Sequence, residues 1–122
     1  MPEATAPTPT DSSEVTQIVA DVLAEHPVWD GHNDLPWEMR AQVGYDLDAL
    51  DVGLRGSRTH TDLPRLREGG VGAQFWSVFV PAQLAGDSAV AATLEQFYFV
   101  HPIPDRHAET SAPATSPADV DA

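Results

Sequence analysis

The chain has 122 residues, 42% of them hydrophobic and 20% charged, which is room for one modest globular domain. Nineteen acidic residues against six basic ones give a formal net charge of −13, a surface that repels phosphate backbones and argues against nucleic-acid binding. There is no cysteine, so disulfides and thiolate metal sites are excluded. No run approaches the roughly 20 apolar residues that span a bilayer. The amino terminus lacks the basic and apolar segments of a signal peptide, so the expectation is a soluble, cytoplasmic protein without membrane contact.

Both ends, MPEATAPTPTDSSE and ETSAPATSPADVDA, are rich in Pro, Ala, Thr and Ser and offer little apolar surface to offset chain entropy. Residues 1–11 and 102–122 are therefore expected to be disordered tails around a folded part at 12–101. Inside it, Val15, Ile18, Val19, Val22 and Leu23 recur at the spacing of one helix face. Asp11 or Ser12 is placed to cap that helix, and Pro27 stops it. Pro27 to Asp34 is too short for a helix. Val28 and Trp29 suggest a brief buried strand there, and Gly31 would permit an unusual backbone angle or a close approach. Leu35 to Arg40 reads as a turn entering a short helix, and Gly44 to Arg58 as loop.

Thr61 to Gly70 predicts a second short helix, capped by Asp62 or Leu63 and ended by the Gly pair. Val71 to Val80 is the strongest strand, and its nearly continuous apolar character predicts cover on both faces, as in parallel sheets. Asp87-Ser88 then caps a helix in which Val90, Leu94, Phe97 and His101 share a face, before Pro102 and Pro104 break it. Helix, strand, helix, strand, helix is the opening of an α/β architecture.

Chemistry concentrates at His32-Asn33-Asp34. Residues two apart on a strand point to the same side, so an imidazole and a carboxylate here can converge on one cation, and both are ordinary zinc ligands. The triplet alone also fits a purely structural reading, in which Asp34 caps the following turn and His32 donates to a backbone carbonyl. His60 suits a loop residue bonded to nearby backbone, while His26, His101 and His107 suit surface or helix-end positions. Trp29, Trp37, Phe75, Trp76 and Phe79 fit a core better than a substrate cleft. Arg65 and Arg67 flank a short helix and are expected to be solvated rather than to bind a substrate carboxylate. Asp46, Asp48 and Asp51 alternate like a calcium loop but lack its Gly and terminal Glu.

The flanks of the triplet point further. The run VWDGHNDLPW at 28–37 closely resembles the first-strand motif of the membrane (renal) dipeptidase family. The run THTDLPRLREGGVGAQFWSVFVP at 59–81 is similar to that family's second-strand region, and Thr93-Leu94-Glu95-Gln96 with Val100-His101 is a weaker third match. The resemblance covers about 26 to 101 and fades through Asp105 to Val120, and Pro102 and Pro104 depart from the family's pattern.

The resemblance implies a zinc metallopeptidase built on a TIM (β/α)₈ barrel, of which this chain would hold the opening βα units as an amino-terminal fragment. It implies two Zn2+ ions bridged by a Glu carboxylate and a water or hydroxide, acting on the peptide bond of a dipeptide. His32 and Asp34 match the first pair of zinc ligands. No catalytic residue is matched, since the bridging Glu and later His ligands belong further along the family's sequence, and such a barrel takes about 250 residues. The alternative is a non-catalytic or partner-dependent fragment with at most weak metal binding. Its associations would be a homodimer or a complementing chain.

Overall fold

A computed structural model describes residues 11–120; the amino-terminal tail expected at 1–11 lies, but for Asp11, outside the described residues. The elements are α1 (Ser12–Glu25), β1 (Val28–Asn33), α2 (Leu35–Val43), α3 (Leu63–Glu68), β2 (Val71–Trp76), α4 (Asp87–Val100), α5 (Ile103–Arg106) and α6 (Pro117–Val120). This is an α/β arrangement with the predicted order at its heart. Among the described residues there are two strands and no closed barrel. None of these helices is long and apolar enough to cross a membrane.

Local chemistry sets most boundaries. Asp11 caps α1 by accepting the Ser13 N–H, and Asp62 caps α3 by accepting the Arg65 N–H. Gly44 ends α2 in the left-handed conformation, with its N–H on Arg40 O. Tyr45 follows it at φ 68°, an unusual angle for a residue with a Cβ, and its ring stacks on Phe99 at 5.2 Å. Gly70 ends the α3 turn at φ 68°; a Cβ there would also meet the Leu23 side chain at 2.9 Å. Gly31 needs no such freedom. Its φ is not positive and nothing lies within 4 Å of where its Cβ would stand, so neither expected reason for a glycine applies.

β1 and β2 run parallel, with Val28 opposite Val71 and Asn33 opposite Trp76, and with register irregularities on either side of the Trp29 and Asp30 pairs. Ser77 N–H continues the pairing onto Asn33 O. The core lies beside this ribbon, where Leu35, Met39, Val52, Leu63, Phe99 and Ile103 form one cluster and Trp76 packs against it from the strand end. Gln96, fully buried, donates its amide to Phe79 O and so ties α4 to the segment leaving β2.

The apolar faces read from periodicity are not the buried ones, and the expected cover of β2 is corrected. The predicted α1 face is open, with Val15, Ile18, Val19 and Val22 exposed and no residue of the helix buried. In α4 the opposite side is buried: Ala92, Gln96 and Phe99 are inside, whereas Val90, Leu94 and Phe97 face out. β2 stops at Trp76 rather than Val80, and it is not covered on both faces, since Phe75 is 65% exposed. The common cause is that an apolar face is buried only where a second layer meets it. Among the described residues that layer is built by α2, α3, α4, α5 and the loop at 45–52.

The segment expected to be a tail from Pro102 begins with packed residues. Ile103 is 1% exposed within the core cluster, and His107 is buried against the loop that carries Asp51 and Gly53. Arg106 pairs with Asp48, and Asp46 and Asp51 accept backbone N–H groups of their own turns. The prolines do interrupt the helix, but the chain turns back onto the core instead of leaving it.

Asp62 is the most heavily used buried acid. Its carboxylate accepts from Gly56 N–H, Arg65 N–H and Arg65 Nε. Burial pushes its pKa up, but these hydrogen bonds and the guanidinium charge outweigh that and hold it below the ordinary value. A depressed native pKa means that the stabilisation is fully present above the unfolded value of about 3.9 and is lost as pH falls through the native value. Asp62→Ala is expected to cost about 2–4 kcal/mol, from the lost cap on Arg65 N–H and the lost partner of the Arg65 guanidinium. Urea unfolding at neutral pH and below pH 4 measures this, and the variant should lose less stability on acidification than the parent.

Candidate metal half-site

β1 ends at Asn33, and Asp34 already stands at the N-cap of α2 with φ −87° and ψ 16°. The two candidate ligands therefore do not lie on one strand, as the spacing suggested. They converge nonetheless, with His32 Nε2 3.1 Å from Asp34 Oδ1. Both side chains are open to solvent, at 67% and 55% exposure.

The backbone beneath them is held tightly. Asn33 Nδ2 donates to Thr61 Oγ1 and Gln74 Oε1, and Asn33 Oδ1 accepts the Leu35 N–H. Gln74 in turn donates to Asp30 O, so β2 grips both ends of the Asp30–Asn33 stretch. Asp34 makes no capping bond with its side chain. The structural reading of the triplet thus finds no support here: Asp34 is not used as a cap, and the His32 ring faces a carboxylate rather than a carbonyl.

A cavity of about 450 Å³ opens over the pair, lined also by Glu38, Arg58, Thr59, His60 and Thr61. His60 thus sits on the rim of the site, exposed, which its loop position did not reveal. Glu38 and Arg58 were not singled out by spacing, and only the fold brings them near. Arg65 is no surface cation; it binds Asp62 and Thr59 O. Trp37 lies edge-on to Phe79 at 5.3 Å and under the Arg40 guanidinium, while Trp29 and Phe79 are exposed, so the aromatics form neither one core nor one cleft.

The donor set fits half of a zinc site. Two ligands sharing a tetrahedral zinc at about 2.0–2.2 Å stand roughly 3.3–3.6 Å apart, so this hydrogen-bonded pair at 3.1 Å would open by a few tenths of an ångström to take one. Among the described residues no group of three or more His, Cys, Asp or Glu side chains could hold a metal ion. His32 and Asp34 bring one imidazole nitrogen and one carboxylate oxygen together.

Sequence comparison supplies the context. The model of the membrane dipeptidase family (Peptidase family M19) matches residues 16–122. Dipeptidase 3 of Mus musculus is 46% identical over 76 residues, which is 62% of this chain and 15% of that protein. Dipeptidase 3 of Homo sapiens is 44% identical over 81 residues, 66% of this chain and 16% of that protein. Dipeptidase verJ of Clonostachys rogersoniana is 34% identical over 110 residues, 81% of this chain and 28% of that protein. The chain thus spans between about a seventh and under a third of the length of these relatives. The family match also runs through Pro102 and Pro104 to the last residue, correcting the expected fading of the resemblance there. By that match over most of its length, the chain belongs to the membrane dipeptidase family.

Proposed function

We propose that this chain carries one half of the zinc site of a dipeptidase, with His32 and Asp34 as metal ligands in a protein that hydrolyses the amide bond of dipeptides. The observation that carries the reading is the 3.1 Å approach of His32 Nε2 to Asp34 Oδ1 inside a family-matched segment, at the mouth of a cavity. When bound, zinc supplies carbonyl polarisation and activation of water at neutral pH, and the two-zinc form of this chemistry is the one proposed. What the chain's own residues do is narrower. Asn33, Gln74 and Thr61 fix the backbone, and His32 and Asp34 present one nitrogen and one carboxylate oxygen to a cation.

Catalytic zinc ordinarily has three protein ligands. The 122-residue chain by itself is therefore expected to bind zinc weakly and to turn over no dipeptide. Calorimetric zinc titration should show binding that His32→Ala and Asp34→Ala each abolish. Because its side chain is exposed, His32→Ala should change unfolding free energy by no more than about 0.5 kcal/mol, while Asp34→Ala, which also loses the Ser77 hydrogen bond at the helix start, should cost about 1 kcal/mol, as urea denaturation would show. Dipeptide hydrolysis by the chain alone, abolished by His32→Ala, would overturn the half-site reading in favour of a complete one.

A second reading, a non-catalytic chain that depends on a partner, is favoured by the open apolar faces at Val15, Ile18, Val19 and Val22 and at Val90, Leu94 and Phe97. Such faces drive association when nothing covers them. Sedimentation of the chain is expected to show self-association, through a homodimer or larger species, that a complementing chain suppresses. A soluble monomer with cooperative unfolding would count against this second reading.

A further inference from the structure

Asp34 Oδ1 has a second neighbour that neither the triplet nor its flanks single out. Ser77 Oγ donates to it at 2.5 Å, across a separation of 43 residues. The contact is not an accident of a mobile side chain. Ser77 immediately follows β2, and its own N–H is bonded to Asn33 O at 3.0 Å, continuing the parallel pairing by one step. Backbone register therefore sets the hydroxyl beside the residue after Asn33, and that residue is Asp34.

We infer that Ser77 is a positioning residue for the metal-binding carboxylate. It holds Asp34 Oδ1 facing His32 Nε2, so that the pair meets a cation already arranged. This rests on the reading of His32 and Asp34 as a half-site. The physical reason is that an exposed carboxylate on a helix cap is free to rotate, and each rotamer that turns away from His32 must be excluded at a cost in binding. A hydroxyl donor removes that freedom beforehand. Hydrogen-bond partners of metal ligands commonly govern metal affinity by about 10–100-fold. Here the Asp34 side chain has no capping bond to restrain it, and among the described residues the hydrogen-bond contacts of its carboxylate are His32 and Ser77.

The test uses the full chain, with Zn2+ as the probe, and compares Ser77→Ala with Ser77→Thr. In the metal-free chain, Ser77→Ala should move the carboxylate 13C resonance of Asp34, while Ser77→Thr, which keeps the hydroxyl, should leave it near its original position. Zinc affinity should fall about 10-fold or more in Ser77→Ala and return in Ser77→Thr. The visible spectrum of the Co2+-loaded chain should change in the alanine variant alone. Equal zinc affinity of the parent and Ser77→Ala would overturn the positioning role and leave the half-site standing. No zinc binding by the parent would overturn the half-site, and the role of Ser77 with it. A Ser77→Thr variant as weak as Ser77→Ala would show a merely steric effect and likewise sink the inference.

Discussion

The side chain of Asn33 closes the parallel pairing of β1 and β2 at the end where the site stands. A lone pair of parallel strands is a poor unit, because its ladder is short and its connection long. In this ribbon the ladder bonds are reinforced by side-chain amides. Asn33 bridges to Gln74 on the neighbouring strand and to Thr61 before α3, and Gln74 returns a bond to Asp30 O. The approach of Ser77 to Asp34 sits at this same end, where Ser77 N–H bonds Asn33 O.

The core gives the other half of the support. Trp76 packs against it from the end of β2, and the core's first members, Leu35 and Met39, follow soon after Asp34. Asp34 is thus the hinge between a locked strand end and a buried helix start, while its own side chain stays in water. Exposed ligands on an immobile backbone are what a cation site needs, since the ligand atoms must be accessible and their positions must not be. The open faces of α1, α4 and β2 have no such support and take no part in holding the site.

Much of this was legible in the sequence, and the limits have physical causes. Several caps and stops were readable because they are local: Asp11, Asp62 and the Gly pair at 69–70 act within a few residues of themselves. By contrast, the expected Asp87-Ser88 cap is replaced by Gly86 at the N-cap of α4, with no side-chain bond. The His32 and Asp34 convergence was readable from spacing, although the strand that justified it ends one residue early. The buried side of α4 was not. Periodicity says which residues share a face, and a helix as apolar as DSAVAATLEQFYFV has two candidate faces. The one taken, through Ala92, Gln96 and Phe99, was decided by contact with α2 and by the Gln96 bond to Phe79 O. Ile103 and His107 were assigned to a tail because their neighbours are polar and proline-rich, yet two side chains sufficed to turn the segment inward. Ser77 was invisible because its partner lies 43 residues away at the start of α2, and only the pairing of β1 with β2 brings the two together.

The middle residue of the triplet explains why the outer two remain available. An aspartate at a helix N-cap is normally drawn to the free N–H groups of the first turn. In α2 those donors are accounted for without it. Leu35 N–H goes to Asn33 Oδ1, Pro36 has none to give, and Trp37 and Glu38 donate to Asp34 through its backbone carbonyl. The carboxylate is thereby released from capping while it stays at the positive end of the helix, where a negative charge is favoured. Asn33 and Pro36 thus perform the structural duty that Asp34 would otherwise owe, and a carboxylate free of structural duty is one that can face His32.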